Sequence, residues 1–206
     1  MKFIVTGGAG FIGSNIVDAL IERGHNVVII DNLSTGKKEN VNPKARLEEK
    51  DIRDLEAIKP FFEGVDGVFH CAALARIQPS IVDPLSPHHV NATGTLNVLI
   101  AAKEGGAKKF IYSGSSSVYG VQSELPFRED MRPNPINPYA VQKLMGEMYC
   151  RNFTELYGLP TVILRYFNVY GPREVLEGGY AAVIGKFRYQ LQHGEPLDSH
   201  SKSPAL

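Results

Sequence analysis

A doubly wound α/β fold built on a parallel sheet is predicted by two features of this sequence. Short apolar runs alternate with stretches of helical apolar spacing, which is typical of a parallel sheet with helices on both faces. The first run, Lys2–Thr6, is rich in apolar and β-branched residues, like a buried parallel strand, and a glycine-rich turn follows it at once. We therefore expect one sheet whose strands are joined by helical crossovers.

The predicted elements follow one another along most of the chain. The strand-like runs are Lys2–Thr6, Asn26–Ile30, Ala45–Glu49, Gly67–Cys71, Lys109–Ser113 and Thr161–Arg165. Helical spacing predicts helices at Phe11–Arg23, Leu55–Glu63, Pro87–Glu104, Tyr139–Tyr157 and Tyr180–His193. Right-handed crossovers bring the carboxyl ends of all strands to one edge, where ligands bind. Six residues of interest fall at that edge, namely Gly7, Asp31, Asp51, Ala72, Ser115 and Asn168.

The turn after the first strand has the spacing of a dinucleotide site. Gly7, Gly10 and Gly13 recur every three residues and lead into a predicted helix. Glycines there permit a tight turn, close approach of the backbone to a pyrophosphate and close packing of helix on strand. The helix N-terminus offers free N–H groups and the positive end of a dipole to the phosphates. The sequence thus predicts a Rossmann-type sheet that binds a dinucleotide.

An acidic residue at the end of the second strand indicates which dinucleotide is bound. Asp31 closes the apolar run that begins at Val27 and lies 18 residues after Gly13. A carboxylate in that place accepts hydrogen bonds from the ribose 2′-hydroxyl and repels a 2′-phosphate. The expected cofactor is therefore NAD rather than NADP.

Composition excludes several other classes of protein. The 206 residues include 22 basic and 22 acidic residues, so the formal net charge is zero. No basic stripe suggests nucleic-acid binding, and no long apolar run suggests a membrane span. The two cysteines, Cys71 and Cys150, are too few and too scattered for a disulfide framework or a metal site. With no signal-peptide pattern at the start, we expect a cytoplasmic protein with reduced cysteines and no bound metal.

A tyrosine and a lysine supply candidate acid–base chemistry. Tyr139 and Lys143 stand four residues apart at the start of a predicted helix, so they share one face. An ammonium beside a phenol favours the phenolate, which lowers the tyrosine pKa toward a useful range. Ser115 follows the fifth strand and can hydrogen-bond the same substrate hydroxyl. Such a pair alone is usually a surface pair, but here it accompanies a dinucleotide turn.

With these features, the chain resembles the extended short-chain dehydrogenase/reductases of the NAD-dependent epimerase/dehydratase family. The resemblance runs from Met1 to about Glu195 and rests on the segments TGGAGFIG, DNLSTG, DIRD, HCAALA, NATGTLNVL, SGSSSVYG, PYAVQK and RYFNVYGPR. It implies 4-epimerisation of a nucleotide sugar of the UDP-glucose/UDP-galactose type through a 4-keto intermediate. Ser115, Tyr139 and Lys143 match the family's catalytic triad.

The resemblance also implies which residues bind NAD. Besides Gly7, Gly10, Gly13, Tyr139 and Lys143, they are Phe11, Ile12, Asp31, Asn32, Ser34, Thr35, Gly36, Asp51, Ile52, Ala72, Ala73, Ala75, Asn91 and Phe167. Asn168 matches a position that contacts the phosphates of the sugar nucleotide, and Ser115 and Tyr139 match positions that contact the substrate. Family dehydratases carry an Asp-Glu pair where this chain has Ser116–Ser117, so dehydration is disfavoured.

The C-terminal part departs from the family pattern. We expect a NAD-binding domain at residues 1–172, a remnant of the substrate-binding domain at 173–195 and a disordered tail at 196–206. A truncated substrate domain leaves two alternatives to the epimerase: a NAD-binding protein with little catalysis, and a nucleotide-sugar reductase. Family members dimerise through two helices, which match Pro87–Glu104 and Tyr139–Tyr157 here, so a homodimer is also expected.

Overall fold

Six parallel strands form one sheet in the computed structural model, which describes residues 1–174 and 183–197. The strands are β1 (Lys2–Thr6), β2 (Asn26–Asp31), β3 (Arg46–Glu49), β4 (Gly67–His70), β5 (Phe110–Ser115) and β6 (Thr161–Tyr166). Their order across the sheet is β3-β2-β1-β4-β5-β6, with every neighbouring pair parallel. The predicted Rossmann-type parallel sheet is confirmed.

Seven α-helices accompany these strands in the described part of the chain. They are α1 (Phe11–Glu22), α2 (Leu55–Ile58), α3 (Ile77–Val82), α4 (Leu85–His88), α5 (Thr95–Glu104), α6 (Pro138–Tyr157) and α7 (Val183–His193). A π-helical segment, His89–Gly94, joins α4 to α5. No helix among the described residues is long and apolar enough to cross a membrane.

Prolines explain two of the differences between the observed helices and the sequence prediction. The helix predicted at Leu55–Glu63 ends at Ile58 and continues as the 3-10 turn Lys59–Phe62, because Pro60 has no N–H to donate to the preceding turn. The short helix α3 was not predicted, since Pro79 interrupts its pattern. The helix predicted from Tyr180 begins at Val183 within the described residues.

The sheet buries apolar side chains on both faces. Ile4 belongs to a cluster that includes Val98 and Leu99 of α5 and Phe153 of α6, whereas Val5 packs with Val17 and Leu20 of α1. Successive residues of a strand point to opposite faces, so β1 contributes to both clusters. Helices on both faces thus fix β1 and β4 at the centre of the sheet.

The direction of winding reverses between β1 and β4, and this reversal positions the candidate site. In a doubly wound sheet, the loops after the strands diverge there and leave a crevice at the carboxyl edge. The turn after β1 and the loop after β4 therefore form the walls of the expected nucleotide site.

The chain divides into two compact units. Unit one spans Met1–Phe167 and contains the whole sheet, and unit two begins at Asn168. Unit two contains α7, and there Arg188 lies 3.7 Å from the carboxylate of Glu174. Of the tail predicted at 196–206, residues 198–206 lie outside the described part of the chain.

Candidate active site

Three glycines allow the backbone to pack closely in the turn after β1. Gly7 has φ +69°, and a Cβ on it would lie 2.6 Å from the backbone nitrogen of Ala72, at the end of β4. A Cβ on Gly13 would overlap the carbonyl oxygen of Gly7. Gly10 donates its N–H to that same carbonyl at 3.1 Å. The predicted glycine spacing therefore corresponds to a turn that has no room for larger residues at positions 7 and 13.

The N-terminus of α1 faces this turn without a side-chain cap. Gly10 is the N-cap and contributes no capping side chain, and the first turn carries no acidic residue. Phe11 and Ile12, both half-buried, form that first turn. The free N–H groups and the helix dipole favour an anion such as a pyrophosphate.

Asp31, at the end of β2, is held by two backbone hydrogen bonds. Its Oδ2 accepts from the N–H of Ala9 at 3.0 Å, and its Oδ1 accepts from the N–H of Leu33 at 2.8 Å. A Cβ on Gly36 would lie 2.9 Å from Asp31 Oδ2, so the Ser34–Gly36 turn also requires glycine. Each carboxylate oxygen keeps a lone pair for a ribose hydroxyl.

Asp51 and Ile52, two of the residues predicted to bind NAD, lie just after β3. Asp51 accepts from the amide of Asn32 at 2.7 Å and pairs with Arg53 at 2.7 Å, and the Arg53 hydrogen bond lowers the pKa of Asp51 to about 2. This carboxylate therefore stays ionised as an acceptor. The side chain of Ile52 is buried in the core near Gly94, so only its backbone is available to a ligand.

The loop after β4, residues Ala72–Ala75, is fixed by Asn91. The side chain of Asn91 accepts from the N–H of Leu74 at 2.8 Å and donates to the carbonyl of Leu74 at 3.0 Å. Ala72 and Ala73 are half-buried and Ala75 is exposed. Asn91 therefore holds the backbone of this loop, and its part in NAD binding stays a prediction.

The structure brings Ser115, Tyr139 and Lys143 together at the carboxyl edge of β5. The side chain of Ser115 lowers the pKa of the Tyr139 phenol, and the ammonium of Lys143 donates to the carbonyl of Ser113 at 2.8 Å. Ser117 donates to Ser115 Oγ through its N–H at 3.2 Å and its hydroxyl at 2.8 Å. The Ser115 proton is thus free to point at Tyr139.

The pKa of Tyr139 differs from the expectation. Burial raises it, and the hydrogen bond from Ser115 opposes that rise, whereas Lys143 was expected to lower it. The Lys143 ammonium is engaged with the Ser113 carbonyl, and burial lowers its own pKa to about 8. In this structure Ser115, rather than Lys143, favours the phenolate.

Phe167 ends the first unit in a stack of aromatic rings. Its ring lies 6.0 Å from that of Phe127 and 6.4 Å from that of Tyr119. Phe167 is 59% exposed, and its approach to the cofactor stays a prediction. Asn168 is the first residue of the second unit, and its contact with substrate stays a prediction.

Two groups of buried polar residues were not singled out in the sequence. His70 lies among threonines beneath the loop after β4, and Glu147 of α6 is paired with Arg165 of β6 at 2.8 Å. The position of Glu147, four residues after Lys143 on the same helical face, was the available signal. No feature of the neighbouring sequence indicated that its partner would be Arg165, which lies on β6.

Comparison with known proteins supplies the family. The model of the NAD dependent epimerase/dehydratase family matches residues 3–202. The chain belongs to this family. NAD is the cofactor of the family, and the tight turn at Gly7 and Gly13, the uncapped helix and the Asp31 carboxylate fit it. When bound, NAD accepts and returns a hydride.

Three solved structures have the same fold. The UDP-glucose 4-epimerase of Thermotoga maritima, solved with UDP-glucose, is 42% identical with a TM-score of 0.90 over 95% of this chain and 64% of that one. The UDP-N-acetylglucosamine 4-epimerase of Methanobrevibacter ruminantium, solved with UDP-N-acetylmuramic acid, is 44% identical with a TM-score of 0.89 over 94% and 63%. The UDP-glucose 4-epimerase of Thermus thermophilus, solved with NAD, is 40% identical with a TM-score of 0.87 over 95% and 64%. The chain thus spans less than two thirds of the length of these proteins.

We expect Gly13→Ala to weaken NADH binding by about tenfold or more, because the new Cβ would overlap the Gly7 carbonyl and open the turn. Gly24→Ala is the matched control: Gly24 has φ +77° with nothing within 4 Å, so this variant loses about 1 kcal/mol of stability and retains NADH affinity. NADH fluorescence titration measures both. Wild-type affinity in Gly13→Ala would contradict the proposed turn geometry.

We expect His70 to make stability depend on pH. Burial, with a smaller effect of Lys143, lowers its pKa from 6.5 to about 3. Between these two pKa values only the unfolded chain takes up a proton at His70. The contribution of this residue to stability is therefore fully present above about pH 6.5 and decreases as the pH falls. When the pH is lowered from about 7.5 to about 5, the free energy of unfolding measured in urea should fall by about 2 kcal/mol more in wild type than in His70→Gln. Equal losses in the two proteins would contradict this assignment.

Proposed function

We propose that this chain catalyses the NAD-dependent 4-epimerisation of a nucleotide sugar. The observation that carries the proposal is the assembled set of Ser115, Tyr139 and Lys143 beside the dinucleotide turn. The segment between Ser113 and Gly120 contains no carboxylate, which disfavours a dehydratase, since elimination of water needs a further acid and base.

Proton transfer at the sugar 4-hydroxyl is assigned to Tyr139. The phenolate removes this proton as the C4 hydride leaves, and the phenol returns it when the hydride comes back on the other face of the 4-keto sugar. Ser115 stabilises the phenolate, because its proton is directed at Tyr139 while it accepts from Ser117. Lys143 holds positive charge near the reacting atoms, anchored by the Ser113 carbonyl. The net result is an isomerisation without consumption of cofactor.

A UDP-hexose is the proposed substrate. Support comes from the two related epimerases that were solved with UDP-glucose and with UDP-N-acetylmuramic acid. We assign NAD binding to residues 1–172, with Phe167 against the nicotinamide, and substrate contacts to Ser115, Tyr139, Asn168 and residues 173–195. A cytoplasmic location is proposed because Cys71 and Cys150 are both free thiols.

The experiment that tests this function is an epimerase assay over several substrates. The protein is incubated with NAD and, separately, with UDP-galactose, UDP-glucose and UDP-N-acetylglucosamine, and the products are separated by chromatography. The proposal predicts the 4-epimer of at least one substrate with no net NADH. NADH formed in proportion to substrate would favour a reductase. Clear NAD binding without any product would favour the non-catalytic alternative.

A homodimer is proposed from the outer face of α6. Val141 and Met148 are seven residues apart on this helix and both are exposed, and Leu144, Met145 and Tyr149 between and beside them are half-buried. Such an apolar stripe fits a second copy of the same helix.

We expect Met148→Glu to convert this dimer to a monomer, because two new carboxylates would face each other across the axis. Light scattering after size exclusion measures the mass. Arg151→Gln, at an exposed position of the same helix, also lowers the charge by one and is the charge-matched control, which should remain dimeric. A monomeric wild-type protein would contradict the dimer.

A further inference from the structure

A closed ring of hydrogen bonds surrounds the base of the loop after β4. The Nδ1 of His70 lies 2.6 Å from the Thr6 hydroxyl, and its Nε2 lies 2.9 Å from the Thr95 hydroxyl. Thr95 donates to the carbonyl of Asn91 at 2.7 Å, and the Asn91 side chain binds both backbone groups of Leu74. The N–H of Ala72 returns to Thr6 at 3.3 Å. The ring therefore connects the ends of β1 and β4 to the π-helical segment.

The directions of these bonds assign the His70 proton to Nε2. Thr95 uses its proton on the Asn91 carbonyl, so it must accept from His70 Nε2–H. Thr6 accepts from Ala72 and donates to the unprotonated Nδ1. A proton on Nδ1 would leave the Thr6 hydroxyl without an acceptor in the part of the chain that the structure describes.

The surroundings of His70 keep this imidazole neutral. It is 2% exposed and packs on Phe110 and Tyr112 of β5, with ring centroids 5.8 Å away in each case. The charged group that faces it is the Lys143 ammonium of α6, which disfavours a second positive charge, and Cys71, whose thiol is kept protonated by burial, follows it in the chain. β1 and α5 contribute the uncharged Thr6 and Thr95.

The ring also contacts the catalytic helix. The Asn91 amide that binds Leu74 donates at 2.9 Å to Gln142, which lies between Tyr139 and Lys143 on α6. Gln142 in turn donates to the carbonyl of Pro84 at 3.2 Å. A displacement of the ring would therefore reach both the loop and the helix that carries the proposed acid–base residues.

We propose that this ring is a positioning device in which neutral His70 sets the Ala72–Leu74 backbone for NAD and couples it to the catalytic helix. The inference rests on the proposed function only in taking this loop as a wall of the NAD site. Thr6, His70 and Thr95 act through the backbone they hold and are positioning residues rather than catalytic ones.

The first test is a nuclear magnetic resonance measurement on the protein without cofactor. A long-range ¹H–¹⁵N spectrum of the histidine rings should show His70 protonated at Nε2 and unprotonated at Nδ1, unchanged down to about pH 5. The amides of Ala72 and Leu74 should exchange slowly in wild type and faster in Thr95→Val. A charged ring or an Nδ1–H ring would overturn the proposal.

The second test is NADH affinity, measured by NADH fluorescence in a chain that has no tryptophan. We expect Thr95→Val to weaken binding about tenfold and Thr95→Ser, which keeps the hydroxyl, to remain within about twofold of wild type. Val65→Ala is the matched control, since it removes buried methyl groups at the other end of β4 and should leave affinity within about twofold.

Two results would overturn the positioning role: wild-type affinity in folded Thr95→Val, or an equal loss of affinity in Val65→Ala. Thr6→Val provides a second variant if Thr95→Val does not fold, with the same expected loss. This test involves no sugar substrate. A failed epimerase assay with normal NADH binding would therefore count against the proposed function alone, whereas normal NADH binding that Thr95→Val leaves unchanged would count against this inference alone.

Discussion

Tyr139→Phe is expected to reduce epimerase turnover by about 10²- to 10⁴-fold, the range contributed by a positioned acid–base group. The variant removes only the phenolic hydroxyl, whose pKa the side chain of Ser115 lowers. Because the ring stays and Lys143 still binds the Ser113 carbonyl, NADH affinity should remain within about twofold of wild type. Initial rates with the substrate found active in the epimerase assay measure the first quantity.

Ser115→Ala is the companion to that variant. It removes the hydrogen bond that opposes the effect of burial on Tyr139, so the pKa of the phenol should rise further. The pH at which kcat reaches half its maximum should then shift upward, with a smaller loss of activity than in Tyr139→Phe. Turnover at the wild-type rate in Tyr139→Phe would remove this residue from the mechanism.

Arg165→Met is expected to destabilise the protein by about 3–5 kcal/mol, because it leaves the Glu147 carboxylate buried without its partner. Glu147 is 0% exposed, and Arg165 binds it with two hydrogen bonds of 2.9 and 2.8 Å. The guanidinium also lies 4.6 Å from the Tyr119 ring centroid, so the variant loses a cation–π contact. Urea unfolding gives the free energy of unfolding.

Arg151→Met provides the matched control for the ion pair. Arg151 approaches the same carboxylate at 4.0 Å but its side chain is 60% exposed, so its loss should cost less than about 1 kcal/mol. The double variant Glu147→Leu, Arg165→Met should recover part of the stability, since no buried charge remains. A single variant as stable as wild type, or a double variant no better than the single one, would contradict this view of the pair.

Local sequence patterns predicted most of the fold and the tight turn of the candidate cofactor site. The backbones of Gly7 and Gly13 are in close contact and lie only six positions apart in the sequence, so their spacing alone indicates the tight turn. Tyr139 and Lys143 share a helical face by periodicity, and the parallel strands bring Ser115 to the same edge. These features depend on sequence separations that a period or a motif can reveal.

The features that sequence did not predict depend on contacts between distant segments. The partner of Glu147 lies 18 residues away on another element, and a charged residue on a helix is most often exposed. The His70 ring joins residues of β1, β4 and the π-helical segment. The pKa of Tyr139 depends on burial, which the i and i+4 spacing with Lys143 does not report.

The most direct test of the proposed chemistry follows the hydrogen at C4. UDP-galactose that carries deuterium at C4 is incubated with the protein and NAD in ordinary water, alone and mixed with unlabelled UDP-galactose, and the product is analysed by mass spectrometry. The proposal predicts UDP-glucose with the deuterium retained and no transfer to unlabelled molecules, because the hydride leaves and returns within one site. Loss of deuterium to water, or its appearance in product from the unlabelled substrate, would contradict the proposal.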